Sequence, residues 1–205
     1  MNLKKVSIVL VIVTSLAMVN CKEKKEPISG NSFPVQEAIG TEYQVDPENS
    51  TIQWVGTKIT GRHNGILKIK SGYVKATEEN ITGGKFTLDM STISVTDLEG
   101  DLKDKLEKHL RTEDFFEIEK FPEAVFEIAS TSKNSDAVLI KGNLTMRGIT
   151  HGIEFPASIV WEAGKPLSAK ATLTFDRQKW GIVYKGKVDD LISDTVSLDL
   201  DLKTL

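Results

Sequence analysis

The chain has one cysteine, six prolines and three histidines in 205 residues, and each scarcity closes off a class of explanation. One cysteine forbids an internal disulfide framework and a thiolate metal cluster. The histidines, His63, His109 and His151, stand at no metal-ligand spacing from one another. No Gly-x-Ser-x-Gly elbow, His-Glu-x-x-His helix, glycine-rich phosphate loop or Cys-x-x-Cys pair occurs, which removes the usual sequence marks of hydrolases, zinc proteases, nucleotide enzymes and thiol oxidoreductases. Basic residues are in slight deficit, with a formal charge of −3 and no interleaved basic and aromatic face, so nucleic-acid binding has no electrostatic footing. Long hydrophobic runs are missing too. The longest, Val6 to Val19, is about 14 residues where a spanning helix needs about 20.

That short run is nevertheless informative because of its flanks. Lys4 and Lys5 precede it, and Asn20 and Cys21 follow it. The arrangement resembles a bacterial lipoprotein signal: a basic head, a short apolar segment, and a cysteine whose thiol accepts diacylglycerol. On this reading residues 1–20 are a signal peptide, Cys21 carries the lipid, residues 21–41 are a flexible linker, and residues 42–205 form one domain. The protein would be exported, a periplasmic or outer-membrane lipoprotein held to the membrane by its N-terminal lipid, and Lys22-Glu23 after the cysteine resembles surface-export signals. Loss of Lys4 and Lys5 would leave the mature chain two charges more negative than the formal −3. Met18, Val19 and Asn20 stand where a lipobox has Leu, a small residue and Gly or Ala, so an ordinary secreted protein with a free thiol stays open. A lone thiol in an oxidising compartment is a liability, which favours modification.

Downstream, the pattern has period two. Phe86, Leu88 and Met90 alternate with polar neighbours, Ile153 to Trp161 repeats the pattern, and Val196, Leu198, Leu200 and Leu202 oppose Ser197, Asp199, Asp201 and Lys203. Further strands are expected at 50–59, 64–76, 123–131, 137–146 and 168–175, for about eight in all, with turn chemistry at Lys133–Asp136 and Ala163–Pro166. One stretch has helical spacing: Leu98, Leu102, Leu106 and Leu110 amid charged residues predict an amphipathic helix against the sheet. The fold class is all-β. A sheet with one apolar side must close into a barrel or stack on a second sheet, and periodicity alone leaves both open.

Three segments go further: Tyr43–Ile52, Lys108–Pro122 with Val125-Phe126-Glu127, and Gly142–Thr150. In residues, order and spacing they resemble the YceI-like family across residues 42–205. The resemblance implies an antiparallel eight-stranded lipocalin-like barrel with the helix packed against it, holding an isoprenoid or related lipid in an apolar lumen. It also implies no catalytic residue, no metal and no cofactor beyond that lipid, with protein partners unspecified. Departures occur near the end, where Trp180-Gly181 replaces the family's Phe-Gly and Ser193-Asp194 stands before the last strand.

Lumen candidates, taken from the apolar side of alternating segments, are Ile52, Trp54, Phe86, Leu88, Phe126, Ile128, Leu144, Phe155, Leu173, Phe175 and Trp180. The same residues would equally fill a solid core. Candidates for gripping a polar head group are Arg62, His109, Arg111, Arg147 and Arg177, because a guanidinium holds a phosphate or carboxylate bidentately. His109 could instead cap the helix end, and His63 and His151 read as loop residues. Three functions follow: non-catalytic binding and carriage or storage of a long apolar lipid (isoprenoid, quinone-like or fatty acyl), which is preferred; an enzyme on a lipid-like substrate with His109 and Glu113 as acid and base; and a structural envelope stress protein with a filled barrel.

Overall fold

The computed structural model describes residues 29–78, 80–134 and 137–205; the expected signal segment, Cys21 and the first part of the expected linker lie outside them. In chain order the elements are β1 (Ser29–Gly30), β2 (Thr41–Gln44), β3 (Thr51–Lys58), β4 (Gly61–Thr77), β5 (Asn80–Val95), α1 (Gly100–Leu110), β6 (Glu123–Asn134), β7 (Ala137–Met146), β8 (Ile149–Glu162), β9 (Lys165–Asp176), a 3-10 turn (Arg177–Trp180), β10 (Gly186–Lys187) and β11 (Asp190–Lys203).

Eight long strands, β3 to β9 and β11, pair antiparallel in a ring that closes through β11, which bonds β9 on one edge and β3 on the other. Closure buries the apolar side of every strand at once, and it decides for the barrel over the two stacked sheets that alternation would equally allow. The hairpin chemistry matches. Arg147 and Gly148 (φ 52° and 72°) join β7 to β8, and Ala163 and Gly164 (φ 48° and 78°) join β8 to β9. Both are two-residue turns with positive φ throughout, the type whose twist suits antiparallel strands.

The two ends of the barrel differ. At the helix end, α1 packs on β5, Leu110 is buried, and the carboxylate of Glu107 accepts from Val95 N at 2.8 Å and Ser94 Oγ at 2.9 Å. The leucine stripe holds only in part. Leu98 and Leu106 pack on the core, but Leu102 is 63% exposed. Steps of four residues advance about 40° around a helix, so the stripe drifts off the buried face.

The expected linker is a second difference. From Ser29 the chain lies along the barrel's outer wall: β1 pairs with β8 at Gly152 and Ile153, Phe33 N and O are clasped by the Asn143 side chain at 2.7 and 2.9 Å, and Gln36 N donates to Ala129 O at 2.9 Å. The segment then becomes β2, which extends the wall beside β4. A flexible spacer to residue 41 therefore does not describe residues 29–41. Sequence missed this because such a strap is held by backbone bonds and a polar side-chain clasp, which leave no hydrophobic period.

Candidate functional site

Inward-facing side chains leave a cavity of about 120 Å³ between mid-barrel and the end opposite the helix. Eight of the eleven expected residues line it: Ile52 from β3, Phe86 and Leu88 from β5, Phe126 and Ile128 from β6, Leu144 from β7, Phe155 from β8 and Leu173 from β9. Polar and charged residues, Ser168, Lys170, Lys203 and Thr204, enter the lining only from β9 and the C-terminal end of the chain. Small residues make room for the rings. A Cβ on Gly142 would lie 2.3 Å from the Phe126 ring, and one on Gly72 would lie 3.0 Å from Phe86. Phe126 sits between Phe86 and Phe155, with centroids 6.3 and 5.7 Å away.

Trp54, Phe175 and Trp180 do not line the cavity, and this corrects their assignment. Trp54 lies against Gly65, whose Cβ would meet its ring at 2.5 Å. Trp180 is 0% exposed, packs edge-on to Phe175 at 5.2 Å and donates its indole N–H to Leu144 O at 3.0 Å. These rings fill the helix half of the barrel and form the floor of the lumen. Alternation reports which face a residue occupies, and depth along the barrel axis decides whether it lines or plugs. Lining residues absent from the expectation include Ile69, Ile140, Leu198, Leu200 and Leu202. The signal for Leu198, Leu200 and Leu202 was present in the alternation of the last strand.

The head-group candidates belong to the helix end rather than to the cavity. Arg147 donates to Phe115 O at 2.6 Å and Gly181 O at 3.2 Å. Arg177, 3% exposed, donates to Ser193 O, Ile182 O and Ile192 O at 2.9, 2.6 and 3.4 Å. Burial pulls its guanidinium below the ordinary value, and Asp194 and Asp176 oppose that. Arg111 reaches Ile93 O at 3.4 Å, and Arg62 is exposed on the turn side of β4. None of the five appears among the cavity-lining residues.

His109 pairs with Asp114 at 2.9 Å and packs edge-on to Phe115 and Tyr184 at 5.0 and 4.9 Å. Its carboxylate neighbour is thus Asp114 and not Glu113. His63 and His151 sit in β4 and β8 rather than in loops; His63 bonds Asp97 at 2.8 Å, and His151 bridges Gly30 O and Lys179 O at 3.1 and 3.0 Å. Among the described residues no group of three or more His, Cys, Asp or Glu is placed to hold a metal ion.

A profile of the YceI-like domain matches residues 43–204. The chain belongs to the YceI-like family. It is 29% identical over 144 residues to protein YceI of Salmonella arizonae, covering 67% of this chain and 72% of that one. Among solved structures, BcnA of Burkholderia cenocepacia is similar with a TM-score of 0.64 at 18% identity, covering 77% of this chain and 98% of that one. A polyisoprenoid binding domain from Saccharophagus degradans gives 0.58 at 14%, covering 79% and 97%. The family's most specific block here, Lys108–Pro122, closes the helix end: Phe115 is buried and its carbonyl is held by Arg147 from the Gly142–Thr150 block.

Proposed function

We propose that this protein binds and carries or stores a long apolar lipid (isoprenoid, quinone-like or fatty acyl) in its barrel without turnover, and that lipid on Cys21 tethers it at the cell envelope as a periplasmic or outer-membrane lipoprotein. One observation carries the binding reading: a barrel cavity lined by aliphatic and aromatic side chains, with polar residues only from β9 and the C-terminal end of the chain, above a buried aromatic floor. Each methylene removed from water contributes about 0.8 kcal/mol, so affinity comes from buried area. The polyisoprenoid-binding description of the Saccharophagus degradans domain supports the same ligand class. His109 and Glu113 do not converge on the cavity, so nothing in the site favours the enzyme reading.

The size of the cavity adds a condition. About 120 Å³ is near the ~150 Å³ that admits a benzene ring and below the ~300–1,000 Å³ of drug-sized sites. A long chain enters only if the Phe86, Phe126 and Phe155 rings turn aside or part of it stays outside. The same narrowness favours a second reading, the filled structural barrel. The full chain with Cys21→Ser, expressed in the parent organism and extracted with organic solvent, separates them: a stoichiometric apolar lipid is expected, and a clean extract with no adduct in native mass spectrometry overturns the binding reading.

A further inference from the structure

Two features meet at one place in the barrel wall. β8 and β9 pair only between Ser158↔Lys170 and Glu162↔Lys165. The next rung, Ala157 opposite Ala171, is unpaired although both strands continue toward the helix end. The lumen reaches this split from inside, and a groove of about 540 Å³ reaches it from outside; Ala157, Lys170, Ala171 and Leu200 line both. Two methyl side chains flank the unpaired rung.

The groove is polar where the lumen is apolar. Across β3, β11 and β9 its floor carries the rows Gln53–Asp199–Thr172 and Thr51–Asp201–Lys170. Asp199 accepts from the Thr172 hydroxyl at 2.6 Å, and Asp201 Oδ2 meets Lys170 Nζ at 3.1 Å. Asp201 Oδ1 is shielded from solvent and has no hydrogen-bond partner among the described residues. The Asp201 side chain is 40% exposed overall, and this oxygen still lacks a donor, which a ligand hydroxyl reaching it would supply.

We propose that the split is a side portal and the groove a head-group subsite: a single-chain amphiphile lies with its tail through the Ala157–Ala171 gap into the lumen and a hydroxyl head donating to Asp201 Oδ1. This rests on the lumen-binding reading. A carboxylate or phosphate head fits worse, because it would face Asp199 and Asp201 with only Lys170, already paired, to offset them.

The test titrates the delipidated full chain carrying Cys21→Ser with hexadecanol, methyl palmitate and palmitate, which share a tail and differ in the head. Hexadecanol is expected to bind about tenfold or more tighter than the other two, as sites built around a ligand hydroxyl do. In Asp201→Ala that lead disappears while methyl palmitate affinity holds. Equal affinities in the unsubstituted chain overturn the head-group subsite and leave the lumen reading intact; no binding of any of the three overturns both. For the portal, Ser158→Cys in the groove and Val188→Cys at the exposed helix end are each labelled, after folding, with a bulky maleimide. Slowed uptake with the label at position 158 and not at 188 is expected, and equal uptake rates rule the portal out.

Discussion

The indole N–H of Trp180 donates to the backbone oxygen of Leu144 at 3.0 Å, fastening the 3-10 turn after β9 to a residue of the lumen wall. Because Trp180 is fully buried, that bond and the ring's packing on Phe175 make the floor a fixed part of the barrel. Trp180→Phe should cost about 1–3 kcal/mol by leaving the Leu144 carbonyl without its donor, and Trp180→Ala about 3–5 kcal/mol by opening a cavity. Urea unfolding reads both. Where Trp180→Ala stays folded, it should accept a longer alkyl chain than the parent, which a chain-length series measures.

One side chain clasps the strap along the outer wall at its middle. Asn143, 9% exposed, returns both amide hydrogen bonds to Phe33, as a neighbouring strand would. Asn143→Leu removes both and should release the strap at a cost of about 1–3 kcal/mol. Hydrogen exchange at Phe33 and Gln36 should accelerate in the variant while exchange in β4 and β5 stays unchanged. Unaltered exchange at Phe33 would show that the Phe33 ring against Gly152, not the amide clasp, holds the segment.

The strands were legible because alternation and turn residues mark them, and each of the eight long strands overlaps an expected segment; the barrel itself was implied by the family resemblance, since a stacked pair of sheets satisfies the same alternation. The lumen was legible by face and not by depth. Phe126 and Trp180 carry the same apolar signature, yet one lines the cavity and the other plugs it. Charged residues misled for a related reason. Arg147 and Arg177 have the chemistry of anion binders, but folding directs their donors to backbone carbonyls of turns, and no spacing rule announces that. The β8–β9 split and the strap were invisible because they depend on which backbone groups pair and, at Phe33, on a polar side-chain clasp, none of which leaves a hydrophobic period.

Gly142 makes the close fit between lumen and wall testable. Its missing Cβ would sit 2.3 Å from the Phe126 ring and 2.7 Å from Glu127 O, a contact that backbone cannot relieve. Gly142→Ala should therefore destabilise by about 1–3 kcal/mol through overpacking. The double variant Gly142→Ala with Phe126→Leu relieves the ring contact and should recover part of that loss. A double variant no better than the sum of its parts would show that the Glu127 carbonyl, and not the ring, sets the requirement for glycine.

Asp190 gives the pH dependence a definite window. Its carboxylate takes the Lys58 ammonium, then the Thr60 hydroxyl at 2.8 Å and Thr60 N at 3.0 Å, so the β3–β4 turn is tied to the start of β11. The Lys58 contact foremost, with those of Thr60, holds its pKa at about 2 against an ordinary 3.8. A depressed carboxylate binds fewer protons in the folded state than in the unfolded chain. Its stabilisation is therefore complete above the ordinary value and is lost as pH falls from about 4 toward 2. Because the pair is open to solvent and screened, the effect is small and should shrink further in high salt. Asp190→Asn should lower the unfolding midpoint at pH 6, and the two proteins should converge as pH approaches 2. A gap that stays constant across that window would mean that the turn is held by the Thr60 contacts, which the amide can still accept, and not by the Lys58 charge.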